Sequence, residues 1–216
     1  MRFIDRIDAG RQLAKKLAKY RGQAVVYALP RGGVVVGTEV AKELEVPLDL
    51  ILVRKIGHPS HAEYAICAVA ESAEPVCNEA ERQSVDEDWF KTILREAHAE
   101  NERRRQEYFP ENYQAPAVAD KTAILIDDGI ATGLTMEAAV EAVQVRNPKK
   151  IIVAVPVAPF DSIDNLSTMV DEVVVLDNPE NFMGAVGAHY DNFPQVEDDE
   201  VIELLSEVRD EQAGVV

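Results

Sequence analysis

Residues 124–135 run Ile124-Leu125-Ile126-Asp127-Asp128-Gly129-Ile130-Ala131-Thr132-Gly133-Leu134-Thr135. The apolar residues 122–126 predict a buried β-strand, and residues 135–146 predict the helix that follows it. Two carboxylates and a loop of small and hydroxyl-bearing residues therefore stand between a strand and a helix. In an open α/β sheet this position, beyond the carboxyl end of a strand, is where ligands bind.

The loop at residues 131–135 has the composition of an anion site. Backbone N–H groups from Ala131 to Thr135 can converge on a phosphate at the helix N-terminus, where the helix dipole favours negative charge. The hydroxyls of Thr132 and Thr135 add donors, and Gly133 lets the backbone approach closely. Neither GxxxxGK[ST] nor GxGxxG is present, so the loop is neither a Walker loop nor a dinucleotide fingerprint.

Asp127 and Asp128 would repel a ligand that consisted of phosphate alone. They fit a ligand that also presents hydroxyls or Mg²⁺ at the distance of a ribose from its phosphate, and a sugar phosphate meets that description. The alternative is that the two acids only cap the helix of a strand–turn–helix unit.

Strands and helices alternate on both sides of this segment. Nearly continuous apolar strands separated by helices predict an α/β fold with a parallel sheet covered on both faces. The predicted strands are residues 23–29, 48–53, 122–126, 150–157 and 172–176, and the predicted helices between them are residues 34–44, 135–146 and 161–169.

A length of 216 residues and a formal charge of −17 limit the possible functions. The length favours a single domain over 1–216. The negative charge argues against nucleic-acid binding, because phosphates would be repelled. No apolar run reaches the roughly 18–20 residues of a membrane span, so no membrane partner is expected.

The N-terminus and the cysteines point to a cytoplasmic protein. Residues 1–6 carry charges where a signal peptide would be apolar. Cys67 and Cys77 have neither CxxC spacing nor a flanking His, and we expect two reduced, buried thiols.

Two predicted helices lie outside the alternating pattern. A hairpin of residues 65–70 and 75–78 precedes a long helix at 86–109, whose charged second half is expected to project into solvent. Its Arg103-Arg104-Arg105 run is either a basic patch or a solvated face with a Glu100–Arg104 pair at i,i+4. Residues 197–211 predict an acidic amphipathic helix packed at the edge of the fold.

Four apolar residues, two acids, a small-residue loop and T-G-x-T resemble the phosphoribosyl-pyrophosphate (PRPP) motif of the type I phosphoribosyltransferases. The resemblance implies a Rossmann-like fold in which the loop binds the 5′-phosphate of PRPP. It also implies a core at about 23–177, a helical insertion at about 86–110 and a small hood at about 1–20 and 178–196. It also implies that Asp127 and Asp128 hydrogen-bond the ribose hydroxyls or hold Mg²⁺ through water. The loop residues concerned are Ala131, Thr132, Gly133, Leu134 and Thr135.

Two further segments resemble parts of the same family. Residues 28–33, Ala-Leu-Pro-Arg-Gly-Gly, are similar to its pyrophosphate loop, with Arg31 neutralising the anion and Gly32 and Gly33 exposing N–H groups. Arg54 and Lys55 resemble a basic pair that binds the leaving pyrophosphate, before a mobile loop, here at about 56–64, that closes over the site. The residues alone leave open a glycine-rich βα turn and a solvated basic pair.

Residues 178–190 are similar to the base-binding hood of hypoxanthine-guanine phosphoribosyltransferases, with a P-x-x-F turn and a glycine-containing run that ends in Tyr. The likeness makes Phe182, Met183 and His189 the candidate acceptor-binding residues. The chain departs from the pattern in two places: no Lys lies near Val170, and His189 stands where the hood has an Asp. The resemblance therefore does not identify a purine acceptor.

The implied activity is transfer of the 5-phosphoribosyl group from PRPP to a nitrogenous acceptor, with Mg²⁺ as cofactor and pyrophosphate as leaving group. The implied catalytic residues are Asp127, Asp128, Lys55 and Arg31. The chain looks closest to bacterial predicted phosphoribosyltransferases whose acceptor is not established, and analogy with the family implies a homodimer. Two alternatives remain open: a regulatory protein that senses PRPP or a nucleotide without catalysis, and a sugar-phosphate hydrolase that uses the two acids.

Overall fold

The computed structural model describes residues 2–71, 73–178 and 182–213. Its strands are β1 (Ala24–Ala28), β2 (Leu48–Leu50), β3 (Val53–His58), β4 (His61–Ala70), β5 (Val76–Cys77), β6 (Thr122–Ile126), β7 (Lys150–Val157) and β8 (Glu172–Asp177). A central parallel sheet has the order β2-β1-β6-β7-β8. The predicted α/β fold with a parallel sheet is confirmed.

Helices begin where the sequence supplies a capping group or a turn. The α-helices are α1 (Arg6–Leu17), α2 (Gly32–Leu44), α3 (Glu79–Gln83), α4 (Glu87–Tyr108), α5 (Leu134–Gln144), α6 (Phe160–Ser167) and α7 (Asp198–Ala213). The carboxylate of Asp5 accepts from the N–H of Asp8, and that of Asp86 accepts from the N–H of Trp89. Each cap satisfies one of the N–H groups that a first helical turn leaves without a partner.

Side chains alternate between the two faces of the central sheet, as a strand requires. From β1, Val26 and Ala28 pack on the side of α1, α2 and α7, whereas Val25 and Tyr27 pack on the side of α5 and α6. Both faces are therefore buried, which explains why the strand sequences are almost continuously apolar.

The structure corrects the predicted strand at 48–53. β2 ends at Leu50, and after a short connection β3 enters a separate antiparallel sheet in the order β3-β4-β5. Residues 56–64, the expected mobile loop, form the tip of the β3–β4 hairpin, with His58 opposite His61. One apolar run feeds two sheets, and the sequence alone does not show where the chain changes from one to the other.

The expectation of reduced thiols is wrong in this structure, because Cys67 and Cys77 form a disulfide. The two residues lie directly opposite each other in the β4–β5 ladder. At the closer, non-hydrogen-bonded positions of an antiparallel pair the Cα atoms are about 4.5 Å apart, a separation that a disulfide can span. The disulfide follows from the pairing register of the β4–β5 hairpin, which the spacing of the cysteines in the sequence does not reveal.

Helix α4 confirms the predicted span, but its second half is not simply solvated. Asn101 is buried, and its Nδ2 donates to the carbonyl of Val69 at 3.1 Å. Arg105 reaches the fully buried Asp49, at 2.9 Å from Oδ1 and 3.1 Å from Oδ2. Arg103 and Arg104 do pair with Glu100, as the solvated-face interpretation predicts. One side of the charged half therefore packs on both sheets.

Helix α7 packs where it was expected, against α2 and the edge strand β2. Its inward face carries Val201, Leu205 and Val208, all buried. Within the described ranges, no helix combines the length and the apolar character that crossing a bilayer requires.

Candidate functional site

The carboxyl end of β6 carries the two acids of the motif. Asp127 retains a partly exposed edge and accepts the N–H of Asp128 on its Oδ1 at 2.8 Å. Burial raises the pKa of Asp127 well above its ordinary value, the neighbouring charge of Asp128 adds to the rise, and Lys55 opposes it. A cation or a hydroxyl ligand beside Asp127 would favour its ionised form.

A cavity of 140 Å³ opens beside Asp127. Lys55 of β3 lines this cavity together with residues from 127–136 and with Val186. Lys55 is more than seventy residues from Asp127 in the sequence, so the fold brings these parts of the chain together. The lining residues are Lys55, Asp127, Gly129, Ile130, Ala131, Thr132, Gly133, Thr135, Met136 and Val186. Most of the predicted 5′-phosphate loop lines this cavity, and Leu134, the first residue of α5, does not.

The turn into α5 has the geometry of an anion site. Gly133 caps the helix with φ of +86°, a left-handed conformation that side chains disfavour. The first N–H groups of α5 lack acceptors within the helix and point toward its N-terminal end. Together with the hydroxyls of Thr132 and Thr135 at the cavity, they can hold a phosphate.

The glycines of the predicted pyrophosphate loop are in tight contact with the acids. A Cβ on Gly32 would lie 1.9 Å from Oδ2 of Asp128, and one on Gly33 would lie 2.9 Å from the Cα of Asp127. Since any larger residue would displace the acids, glycine is required here by packing. The peptide bond between Pro30 and Arg31 is cis.

The predicted basic residues do not all reach the cavity. Lys55 lines it, whereas Arg54, the preceding residue of β3, has Nη1 at 3.8 Å from Oε1 of Glu100 on α4. Arg31 also turns away, and its Nη1 donates to Oε2 of Glu197 at 3.2 Å. The structure thus places one of the three predicted cations beside the acids and pairs the other two with carboxylates.

Asp128 has a partner that the sequence analysis missed. The Nε of Arg6, at the start of α1, donates to Oδ2 of Asp128 at 2.7 Å, and both side chains are largely buried. Burial raises the pKa of Asp128, and the charge and hydrogen bond of Arg6 oppose that rise. No local pattern marks Arg6, because the pairing exists only once α1 packs against α2 and across β7 and β8.

The predicted acceptor hood is described from Phe182 onward, and Pro179, Glu180 and Asn181 lie outside the described residues. The ring of Phe182 stacks on that of His189, with centroids 5.1 Å apart. His189 is 4% exposed, and its Nε2 has no hydrogen-bond partner among the described residues, while Met183 is 61% exposed. One face of Phe182 is therefore covered by His189, and these three residues lie outside the cavity lining.

The hood is tied to the acids through Tyr190. Its hydroxyl donates to the backbone carbonyl of Asp128 at 2.6 Å. Phe3, in the N-terminal segment, forms an isolated β-bridge with Tyr190. From the predicted hood segment 1–20, Phe3 and Ala9 join the apolar cluster that contains Tyr190 of the hood, whereas the later part of α1 packs against α2.

The donor set indicates what kind of metal the site could hold. Over the described part of the chain, no group of three or more His, Cys, Asp or Glu side chains could hold a metal ion by itself. Two carboxylates beside a loop that can hold a phosphate match the way Mg²⁺ binds when substrate phosphates and water supply most of its ligands. The residues therefore fit a Mg²⁺ ion that arrives with a phosphorylated ligand.

Comparison with known proteins adds evidence of a different kind. The family model described as phosphoribosyl transferase domain matches residues 4–192. A Mycobacterium tuberculosis protein named "Putative phosphoribosyl transferase Rv0571c" is 41% identical over 206 residues, which is 94% of this chain and 46% of that protein. The chain spans about half the length of the curated relatives it matches.

Solved structures show the same fold. The protein TT1426 from Thermus thermophilus superposes with a TM-score of 0.80 at 39% identity, covering 96% of this chain and 99% of that one. AQ2163 from Aquifex aeolicus superposes with a TM-score of 0.50 at 12% identity, covering 81% and 74%. The second likeness concerns the fold alone.

Proposed function

The chain belongs to the phosphoribosyl transferase domain family, a family of transferases with the type I fold, and from that premise we propose that it uses PRPP as its donor. In this proposal the 5-phosphoribosyl group passes to a nitrogen nucleophile and pyrophosphate is released. One observation carries the proposal: Asp127, Lys55 and the loop at the start of α5 line the same cavity.

The proposed mode of donor binding uses the groups that line the cavity, together with the neighbouring Asp128. The 5′-phosphate would sit at the N-terminus of α5, where free N–H groups and hydroxyls supply donors. The ribose hydroxyls would then reach Asp127 and Asp128, which accept hydrogen bonds in their ionised form. The carboxylates and the phosphate loop thereby act on different parts of one molecule.

The chemistry breaks the bond between C1 of the ribose and the pyrophosphate oxygen, and its electron pair leaves with the pyrophosphate. Positive charge develops on the sugar, as in the oxocarbenium-like transition states of glycosidases. The carboxylates of Asp127 and Asp128 face that charge, and Lys55 faces the anionic leaving group. The acceptor nitrogen forms the new bond to C1, and the proton that it loses passes to the released pyrophosphate or to water. Mg²⁺, when bound with the donor, would neutralise further pyrophosphate charge.

Arg31 would bind the pyrophosphate by leaving the carboxylates with which it now pairs. Its present contacts are Glu197 at 3.2 Å and Asp198 at 4.0 Å, just before α7 and on its first turn respectively. These are partly exposed ion pairs, which contribute about 0–1 kcal/mol, so a pyrophosphate with several charges can displace them.

Calorimetric titration with PRPP, with and without Mg²⁺, tests the donor assignment. We expect Mg²⁺-dependent binding that is lost in Asp127→Asn/Asp128→Asn. The matched control is Asp88→Asn/Asp210→Asn, which makes the same charge change at exposed positions of α4 and α7. Loss of binding in the control as well, or unaltered binding in the acid variant, would contradict the proposal.

Turnover is tested separately, by pyrophosphate release from PRPP with a panel of nitrogen acceptors. The acid variant is expected to lose more than about 10²-fold in rate, as for removal of a preorganised electrostatic group. Binding of PRPP without release of pyrophosphate for any acceptor would instead favour a sensor of PRPP.

A further inference from the structure

Arg6 is an N-terminal residue that the fold buries beside the site, 122 residues along the chain from Asp128. We propose that Arg6 is a positioning residue, which fixes the carboxylate of Asp128 in the orientation that accepts the ribose hydroxyls. This inference rests on the proposed function, because it assigns a partner to one of the two proposed hydroxyl-binding acids.

The guanidinium of Arg6 is held on more than one side. Its Nε donates to Oδ2 of Asp128 and its Nη1 donates to the carbonyl of Pro194, both at 2.7 Å. Its central carbon lies 3.6 Å from the ring centroid of Phe193, in a cation–π contact. Arg6 is only 8% exposed. A planar group with two directed hydrogen bonds and a stacked face has one orientation, and it imposes that orientation on its carboxylate partner.

The rest of Asp128 is equally confined. Its backbone carbonyl accepts the hydroxyl of Tyr190 at 2.6 Å. A Cβ on Gly32 would lie 1.9 Å from its Oδ2 and 2.9 Å from the Nε of Arg6, so the pyrophosphate loop packs directly on the ion pair. The helix α1, the pyrophosphate loop and the hood therefore converge on one carboxylate.

The two acids therefore have different surroundings. Asp127 lines the cavity near Lys55, while Asp128 has a dedicated arginine outside the cavity lining. A buried carboxylate without a paired cation carries a large desolvation cost. Arg6 offsets that cost and keeps the acceptor oriented before a ligand arrives, which is what discrimination for a hydroxyl-bearing ligand requires.

Discrimination between two sugar phosphates is the direct test. The dissociation constants of ribose 5-phosphate and 2,3-dideoxyribose 5-phosphate are measured by calorimetry for wild type, Arg6→Met, Arg6→Lys and Arg11→Met. Arg11 is the matched control, because it lies on the same helix, pairs with Glu39 at 2.8 Å and has a 68% exposed side chain.

Wild type should prefer the sugar that carries both hydroxyls. Arg6→Met should bind that sugar about tenfold more weakly and the dideoxy sugar unchanged, in line with the loss of a charge-assisted hydrogen bond. Arg6→Lys keeps the charge but can reach only one of the two acceptors, so its preference should be intermediate. Arg11→Met should match wild type.

The outcomes distinguish failure of the positioning role of Arg6 from failure of the proposed function. A preference that survives in Arg6→Met, or an equal loss for both sugars, overturns the positioning role. A wild-type protein that binds neither sugar, or binds both equally, refutes the proposed use of the acids and the inference with it. If thermal melting shows that Arg6→Met does not fold, the ratio in Arg6→Lys decides by the same criterion.

Discussion

The arginine run of α4 contains, two residues apart, a half-buried charge paired with the fully buried Asp49 and an exposed charge, which makes it a sensitive test of the electrostatic reasoning. Arg105 bridges the layers: its Nη2 contacts both oxygens of Asp49, its Nη1 donates to the carbonyl of Leu50, and its Nε lies 3.3 Å from Glu71. Arg103 instead makes i,i+3 and i,i+4 pairs along the helix surface and has a 58% exposed side chain.

Replacement of Arg105 by Met should cost about 3 kcal/mol of unfolding free energy. Removing one partner of a buried pair costs roughly 3–5 kcal/mol, because a buried charge is left uncompensated. We expect the lower end of that range because Asp49 still has two partners in the variant. It accepts the N–H of Leu50 at 2.8 Å, and Nη1 of Arg146 lies 3.7 Å from its Oδ2. For a domain of this size about 3 kcal/mol lowers the melting temperature by roughly 6–12 °C.

The control, Arg103→Met, should leave the unfolding free energy close to that of wild type, because exposed ion pairs contribute little. Pairing with Arg103 lowers the pKa of Glu100 to about 2, but solvent screens this exposed pair and limits its contribution. Both variants are compared with wild type by urea and thermal denaturation. The double variant Asp49→Asn/Arg105→Met should recover part of the loss, since it removes the stranded charge. Equal costs for Arg103→Met and Arg105→Met would refute the reasoning.

Three further outcomes follow from the site. Because burial and Asp128 raise the pKa of Asp127 in the folded state, its proton is held more tightly there than in the unfolded chain. Wild type should therefore lose stability as pH rises from about 4 through that raised pKa, so the melting-temperature advantage of Asp127→Asn should grow from pH 5 to pH 8. Gly32→Ala should destabilise the fold by about 1–3 kcal/mol and abolish PRPP binding in calorimetry, since its Cβ would overlap Asp128. Glu197→Gln should tighten pyrophosphate binding by up to about fivefold, because it releases Arg31 from a pair contributing at most about 1 kcal/mol.

Local chemistry accounts for most of what could be predicted. The strand of residues 122–126, the loop beyond it and the helix after it are encoded within one short segment, because apolar pattern, glycine and first-turn donors act over a few residues. The PRPP motif belongs to the same segment, which is why the amino-acid sequence alone indicates the family. Helix α4 was predicted within one residue at each end, since Asp86 is a strong N-cap.

The errors came from long-range pairing. The apolar run at 48–53 has one composition but serves two sheets, and only the pairing of Val53 with Ala70 shows where it divides. Cys67 and Cys77 are joined because the β4–β5 register opposes them. Register depends on the whole hairpin, so the sequence of either strand does not specify it.

By itself, the sequence determined the alternating α/β layers, the glycine-containing turn into α5 and the acid pair, because each arises from residues close together in the chain. The tertiary structure decided which charges meet. It placed Lys55 in the cavity, turned Arg31 toward Glu197, and brought Arg6 to Asp128 across 122 residues. Ion pairs of this kind depend on how distant elements pack, and no periodicity or spacing along the chain encodes the direction in which an arginine side chain finally points.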